Sequence, residues 1–215
     1  MENQEKTQRM DFWKGKPASI STMLLQQEES DTISEAEMVE ILDQLPSFDG
    51  MEVLELGAGI GRYTSHFAQF ASRVTAVDFT EKFLEQNRKA TARFNNITYH
   101  CTDVMDLEFA PESFDFVFIN WLLMYLDNQQ IVLLRDRIRQ WLRIGGTLFF
   151  RESCVWEGAT SGSLRNNPAR YRSDSHYTRI FEDDFRLLHQ GNVKVYEQRF
   201  NDSSQCYWLF RRDKV

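Results

Sequence analysis

One segment of the sequence constrains the fold more than any other. An apolar run over residues 51–56 leads directly into glycines at positions 57, 59 and 61. A short apolar run of this kind is typical of a buried β-strand. Glycines that follow a strand let the backbone adopt positive φ and approach a ligand closely. Since residues 63–70 are amphipathic, the segment predicts a strand, a tight ligand-binding loop and a helix.

The same alternation continues along the chain. Further strands are predicted at residues 73–77, 97–101, 114–119 and 147–151, and helices at residues 33–45, 81–94 and 129–142. Asp31 and Thr32 are predicted caps of the first of these helices. The last third predicts a short helix near residues 180–188, then a hairpin of residues 193–200 and 205–212. We therefore predict an α/β fold, Rossmann-like, with a mostly parallel sheet, an antiparallel C-terminal hairpin edge strand and helices on both faces.

Composition limits the class of protein. The 215 residues fit a single domain, and 25 basic against 32 acidic residues give a net charge of -7, which argues against a nucleic-acid partner. Three widely spaced cysteines and four scattered histidines suggest neither a disulfide framework nor a metal site. The polar amino terminus does not resemble a signal peptide, and no apolar run is long enough to span a membrane. These features predict a cytoplasmic protein without a membrane partner.

Polar residues follow the predicted strands where ligands bind in open α/β sheets. Asp78 ends the second strand, at the position where a carboxylate accepts from both hydroxyls of a ribose. Asp103 follows the third strand and can accept from an adenine amino group, beside the N–H of Val104. Asn120 ends the fourth strand. A dinucleotide fingerprint would need a small residue where Arg62 stands, which disfavours a dehydrogenase. The alternative, that these are turn glycines and helix caps, remains open for each residue taken singly.

Over roughly residues 35–152, this arrangement resembles the class I S-adenosylmethionine-dependent methyltransferases. The resemblance implies S-adenosyl-L-methionine as the cofactor and S-adenosyl-L-homocysteine as the product. It also implies a set of cofactor-binding residues: Glu55, Gly57, Ala58, Gly59, Gly61, Arg62, Asp78, Phe79, Asp103, Val104 and Asn120.

Three blocks in register carry a closer resemblance. Residues 53–62, 120–126 and 149–154 are similar to the amino-terminal catalytic domain of the phosphoethanolamine N-methyltransferases of plants and nematodes, and the similarity covers about residues 10–185. It implies methylation of phosphoethanolamine to phospho-monomethylethanolamine, the first step toward phosphocholine and phosphatidylcholine. Members of this family usually join two methyltransferase-like halves. A second such domain in a longer chain and a natural single-domain form are therefore both open.

A basic segment follows the fifth strand. The segment from Arg151 to Arg179 contains five arginines and three acidic residues. Arginines with hydroxyl groups suit a phosphate monoester, although a solvated basic loop is the alternative. We predict a substrate-binding insertion at residues 153–176. The resemblance implies these substrate contacts: Ser153, Ser161, Gly162, Arg165, Tyr171, Arg172 and Tyr177.

Methyl transfer to an amine requires an uncharged nitrogen aimed at the sulfonium methyl. The catalytic candidates are Tyr125, Asn120 and Trp121, with ordinary core packing as the alternative for both aromatic residues. Tyr125 stands where protozoal relatives carry a catalytic histidine paired with an amino-terminal tyrosine. The paired position here is Phe12 or Trp13, so that dyad is not intact. Our hypothesis is that Tyr125 accepts or relays the proton while aromatic faces hold the cationic groups.

The amino-terminal segment, residues 1–32, is predicted to form a lid over the site, with a permanently docked helix as the alternative. Two alternative functions also remain: another small-molecule N- or O-methyltransferase, and a non-catalytic S-adenosylmethionine-binding module that regulates a partner.

Overall fold

Seven strands form one sheet in the computed structural model, which describes residues 2–24, 30–155 and 167–213. The strands are β1 (Glu52–Leu56), β2 (Arg73–Asp78), β3 (Ile97–Cys101), β4 (Phe114–Asn120), β5 (Leu142–Ser153), β6 (Arg186–Asn192) and β7 (Gln205–Arg211). Their order is β3-β2-β1-β4-β5-β7-β6. The first five are parallel, and β7 pairs antiparallel with both β5 and β6. The predicted sheet with an antiparallel edge is confirmed.

Helices cover both faces of the sheet. They are α1 (Glu2–Lys14), α2 (Ile20–Met23), α3 (Ser30–Leu42), α4 (Thr64–Phe70), α5 (Glu81–Ala90), α6 (Asn128–Trp141), α7 (Asp174–Phe181) and α8 (Lys194–Phe200). Short 3-10 turns lie at Val104–Asp106 and Leu123–Tyr125. Within the described ranges, no helix has the length and apolar character that crossing a membrane requires.

Two predictions for the last third are wrong. The helix expected near residues 180–188 lies earlier, as α7 at Asp174–Phe181, and residues 186–188 begin strand β6. Residues 193–200, expected to form a strand, contain helix α8. The start of α8 is fixed from a distance, because the Glu40 carboxylate on α3 accepts hydrogen bonds from the N–H groups of Lys194 and Val195. The antiparallel edge is therefore a pair of strands joined through a helix rather than a tight hairpin.

The start of α3 also differs from expectation. The helix begins at Ser30, so the predicted caps Asp31 and Thr32 lie inside its first turn.

Apolar side chains on the two faces of the sheet build two cores. Alternation along β4 and β5 places Val117 and Phe150 in the core beneath α6 and α7, and Phe118 and Phe149 in the core beneath α3 and α4. The rings of Phe118 and Phe149 stack with centroids 5.5 Å apart. Because both faces are occupied by packed side chains, the carboxyl ends of the strands are where a ligand can enter.

Candidate functional site

A cavity of about 650 Å³ lies at the carboxyl ends of β1, β2, β4 and β5. Its lining brings together most of the site residues predicted from the sequence: Gly57, Ala58, Gly59, Arg62, Asp78, Phe79, Val104, Asn120, Trp121, Tyr125, Ser153 and Tyr171. The amino-terminal helices cover it through Arg9, Trp13, Met23 and Leu24. A cavity of this size suits a small molecule with a cofactor.

The glycine loop is shaped by close contacts on both sides. Gly59 has φ +53, and its N–H donates to the Asp78 carboxylate over 3.0 Å, which ties the loop to the end of β2. Gly61 has φ +91, and a Cβ there would lie 2.4 Å from the Asn87 side-chain oxygen. Gly61 lies outside the cavity lining, so its role in this structure is to let α5 approach the loop.

Two carboxyl groups flank the loop and differ in their protonation. Glu55 lies behind the loop, where the Thr64 hydroxyl donates to it over 2.5 Å and burial raises its pKa to about 8. It is therefore mostly protonated at neutral pH. Burial raises the pKa of Asp78 only to about 6, since the N–H groups of Thr80 and Gly59 stabilise its charge. Asp78 thus faces the cavity as a carboxylate that can accept from hydroxyl groups.

Asp103 is already engaged by a residue that the sequence did not indicate. Its carboxylate accepts from the Arg9 guanidinium over 2.7 Å and from the Met105 N–H over 3.0 Å. Arg9 also donates to the Tyr125 carbonyl over 3.1 Å. Asp103 lies outside the cavity lining, whereas its neighbour Val104 is part of it. The predicted adenine contact of Asp103 would therefore form beside this ion pair.

A buried charge cluster lies beneath one wall of the cavity. The Glu37 carboxylate pairs with Arg62 at 2.5 Å and with Arg151 at 2.9 Å, and it accepts from the Tyr196 hydroxyl over 3.2 Å. The Arg151 guanidinium lies 3.5 Å from the centre of the Trp121 ring. One face of Trp121 is therefore occupied by a protein cation, which limits the hypothesis that its faces hold a cationic substrate.

The edge of Trp121 is also engaged. Its indole N–H donates to the Ser153 hydroxyl over 3.0 Å and to the Gln205 side-chain oxygen over 3.2 Å. The cavity further includes residues of α8, the start of β7 and the loop between them: Tyr196, Phe200, Asp202, Ser204 and Gln205. The sequence pattern did not indicate these residues, because it predicts a hairpin at the sheet edge for that region.

Tyr125 lies in the cavity wall with its hydroxyl buried. Among the described residues this hydroxyl makes no hydrogen bond of good geometry. Burial raises the pKa of Tyr125 well above its usual value, an effect that Asn167 partly offsets, so the phenol stays neutral. Of the two residues considered as its partner, Trp13 contacts it, edge to face with centroids 5.5 Å apart. A neutral phenol oxygen can accept a hydrogen bond from an ammonium group but is a poor ionised base.

Several predicted substrate ligands lie elsewhere. Arg172 lies outside the cavity lining and is 8% exposed, and its guanidinium donates to main-chain carbonyls of residues 123 and 126. Tyr177 is fully buried in the core beneath α7. Neither side chain reaches the cavity in this structure. The other predicted contacts at Ser161, Gly162 and Arg165 lie outside the described residues.

The chain is similar to known methyltransferases. A family model described as a methyltransferase domain matches residues 54–150. The chain is 34% identical over 97% of its length to a phosphoethanolamine N-methyltransferase of Triticum aestivum, of which it covers 44%. It is 30% identical over 93% of its length to phosphoethanolamine N-methyltransferase 1 of Caenorhabditis elegans, of which it covers 45%. The chain thus spans about half the length of these curated relatives.

A solved structure gives the same picture. Haemonchus contortus phosphoethanolamine N-methyltransferase 1, in complex with phosphoethanolamine and S-adenosylhomocysteine, superposes with a TM-score of 0.91 at 28% identity. The superposition covers 100% of this chain and 50% of the other.

Proposed function

This chain belongs to the class I methyltransferases and is a relative of the plant and nematode phosphoethanolamine N-methyltransferases, and from this premise we propose that it methylates the nitrogen of phosphoethanolamine with S-adenosylmethionine as the donor. The observation that carries the proposal is a cavity lined together by the glycine loop, Asp78, Asn120 and the Trp121–Tyr125 turn. It lies in a fold that matches the phosphoethanolamine complex of the nematode enzyme.

The residues present fit the proposed cofactor. The N–H groups and open space of the glycine loop would receive its methionine end, and the ionised Asp78 would accept from the ribose hydroxyls. The Phe79 and Trp13 rings offer flat apolar surface for a base, and Val104 adds an apolar contact beside them. When bound, the cofactor supplies an electrophilic methyl group on a sulfonium.

The chain's own residues would then bind and orient the acceptor. The Tyr125 oxygen, neutral and without a well-formed hydrogen bond to any described residue, would accept one from the substrate amine and so aim its lone pair. Asn120, at the end of β4, lines the cavity on the same side. Ser153 and Tyr171 would contribute to the phosphate end. Orientation of this kind accounts for a large part of the rate enhancement in group transfer.

The amino-terminal segment is part of the proposal. We assign residues 1–32 as a lid, because Arg9, Trp13 and Met23 line the cavity from helices that lie before the sheet in the chain. The Arg9–Asp103 ion pair would fasten this lid beside the proposed base-binding surface.

The test is transfer of labelled methyl from S-adenosylmethionine to phosphoethanolamine, its monomethyl and dimethyl forms, and phosphate-free ethanolamine. We expect transfer to phosphoethanolamine and much less to ethanolamine. Asp78→Asn serves as a control that weakens cofactor binding without touching the acceptor end. Equal transfer to ethanolamine would show that the phosphate is not recognised. Cofactor binding without transfer to any of these amines would contradict the proposal.

A further inference from the structure

The turn between β4 and α6 forms one wall of the cavity. Trp121, Leu122, Met124 and Tyr125 all line it. Trp121 has φ 55, a left-handed conformation that bulky residues rarely adopt. Such a conformation persists where the surrounding structure determines it strongly. The contacts that hold this turn therefore bear directly on the geometry of the site.

The main-chain N–H groups of the turn converge on one buried carboxylate. Glu152, which is fully buried at the end of β5, accepts from Leu122 over 2.9 Å, from Leu123 over 2.7 Å and from Met124 over 3.2 Å. Consecutive N–H groups that point to one anion form a concave nest. Glu152 lies outside the cavity lining, so it acts beneath the wall rather than on a ligand.

The carbonyl groups of the same turn are held by one guanidinium. Arg172 donates to the carbonyl of Leu123 over 3.3 Å and to that of Leu126 over 2.6 Å. Its Nε donates to the Asn128 side chain over 2.8 Å, which fixes the fork against the start of α6. Glu152 and Arg172 thus hold the N–H and carbonyl sides of one short turn.

We propose that Glu152 and Arg172 are a pair of positioning residues that clamp residues 121–126 and thereby hold Trp121 and Tyr125 in the cavity wall. The kinetic test of this inference rests on the proposed methyl transfer, whereas the structural test does not. This positioning role differs from a direct role of Arg172 on the substrate phosphate, because a phosphate ligand affects acceptor binding, whereas a positioning residue affects turnover.

The test compares Glu152→Gln, Arg172→Lys and the double variant with the wild-type chain. Each single substitution should lower kcat about 10- to 100-fold, as expected for a small misplacement of reacting groups. The KM for phosphoethanolamine and the Kd for S-adenosylmethionine should change by no more than about threefold. The kcat of the double variant should be only slightly below that of the less active single variant, because both residues act on one turn. Glu152→Asp, which keeps a carboxyl group, should retain more activity than Glu152→Gln.

A second measurement does not depend on the acceptor. Hydrogen exchange of the amides in residues 121–126 should be roughly tenfold faster in both single variants. The exposed residues Glu182 and Arg179 supply controls, and Glu182→Gln and Arg179→Lys should leave both readouts unchanged. If Glu152→Gln does not fold, Glu152→Asp and Arg172→Lys provide the same comparison.

The outcomes separate the two proposals. A wild-type chain that transfers no methyl to phosphoethanolamine would refute the proposed function, and exchange alone would then decide the clamp. Unchanged exchange in both variants would overturn the clamp. So would a selective rise of KM for phosphate-bearing acceptors in Arg172→Lys at unchanged kcat.

Discussion

Replacing Glu55 by glutamine should remove a large part of the pH dependence of stability. Burial raises the pKa of this carboxyl from 4.5 to about 8, although the Thr64 hydroxyl donates to it. Between these two values the folded chain holds a proton that the unfolded chain has released. The free energy of unfolding therefore falls as the pH rises, by about 1.4 kcal/mol per pH unit. The full effect of Glu55 is about 5 kcal/mol, present below pH 4.5 and lost above pH 8.

Urea unfolding at pH 5.5, 6.5 and 7.5 would measure this effect. Relative to Glu55→Gln, the wild-type chain should lose about 3 kcal/mol across this range. Asp78 and Glu152, whose pKa values burial also raises, are present in both proteins and cancel in the difference. Glu85→Gln removes an exposed carboxyl on α5 and should follow the wild type. Parallel curves for the wild type and Glu55→Gln would refute the view that the Glu55 carboxyl is protonated in the fold.

Three other substitutions test local geometry. Gly61→Ala should lower the free energy of unfolding in urea by about 2–3 kcal/mol, since its Cβ would meet Asn87. Gly50→Ala, where φ is also positive but the space is open, should cost only about 1 kcal/mol, and equal losses would contradict this reasoning. Tyr125→Phe should lower kcat about 100-fold at unchanged cofactor Kd, and wild-type turnover across pH would exclude the proposed role of its hydroxyl. Phe150→Ala should cost about 3–5 kcal/mol in thermal or urea unfolding, and a cost below about 1 kcal/mol would contradict its place in the core.

Strands β1, β3 and β4 could be predicted from the sequence because their signals are local. Strand β3 has the predicted bounds, and β1 and β4 differ from the predictions by one residue at one end. Each is a short apolar or β-branched run next to turn residues, and the topology of parallel sheets then places Asp78 and Asn120 at one edge. The lining of the cavity by the glycine loop and by these two residues follows from that topology alone.

The rest depended on contacts between distant segments. Residues 193–200 have the composition of a strand, yet Glu40 on α3 caps them as a helix. Arg9 reaches the cavity from a polar helix whose sequence carries no periodic signal, and Gln205 reaches it from the strand that follows α8. No spacing rule connects these positions to the glycine loop, because they approach it only through tertiary contacts.

The arginines of the basic segment after β5 differ most from their predicted role. The resemblance implied a substrate contact for Arg172, but its guanidinium donates to main-chain carbonyls, and Arg151 pairs with Glu37. Of the predicted phosphate contacts, the described part of the cavity retains Ser153 and Tyr171.

Charge recognition of the phosphate is therefore expected to depend on Arg165, the remaining arginine among the predicted contacts. Arg165→Ala should raise the KM for phosphoethanolamine about 10- to 100-fold, since a charge-assisted contact to phosphate is lost, while kcat changes little. Arg172→Lys should instead lower kcat and leave the KM for phosphoethanolamine nearly unchanged. Steady-state kinetics of both variants, with Arg179→Lys as the control, would distinguish the two roles. A lowered kcat at unchanged KM in Arg165→Ala would contradict its assignment to the phosphate.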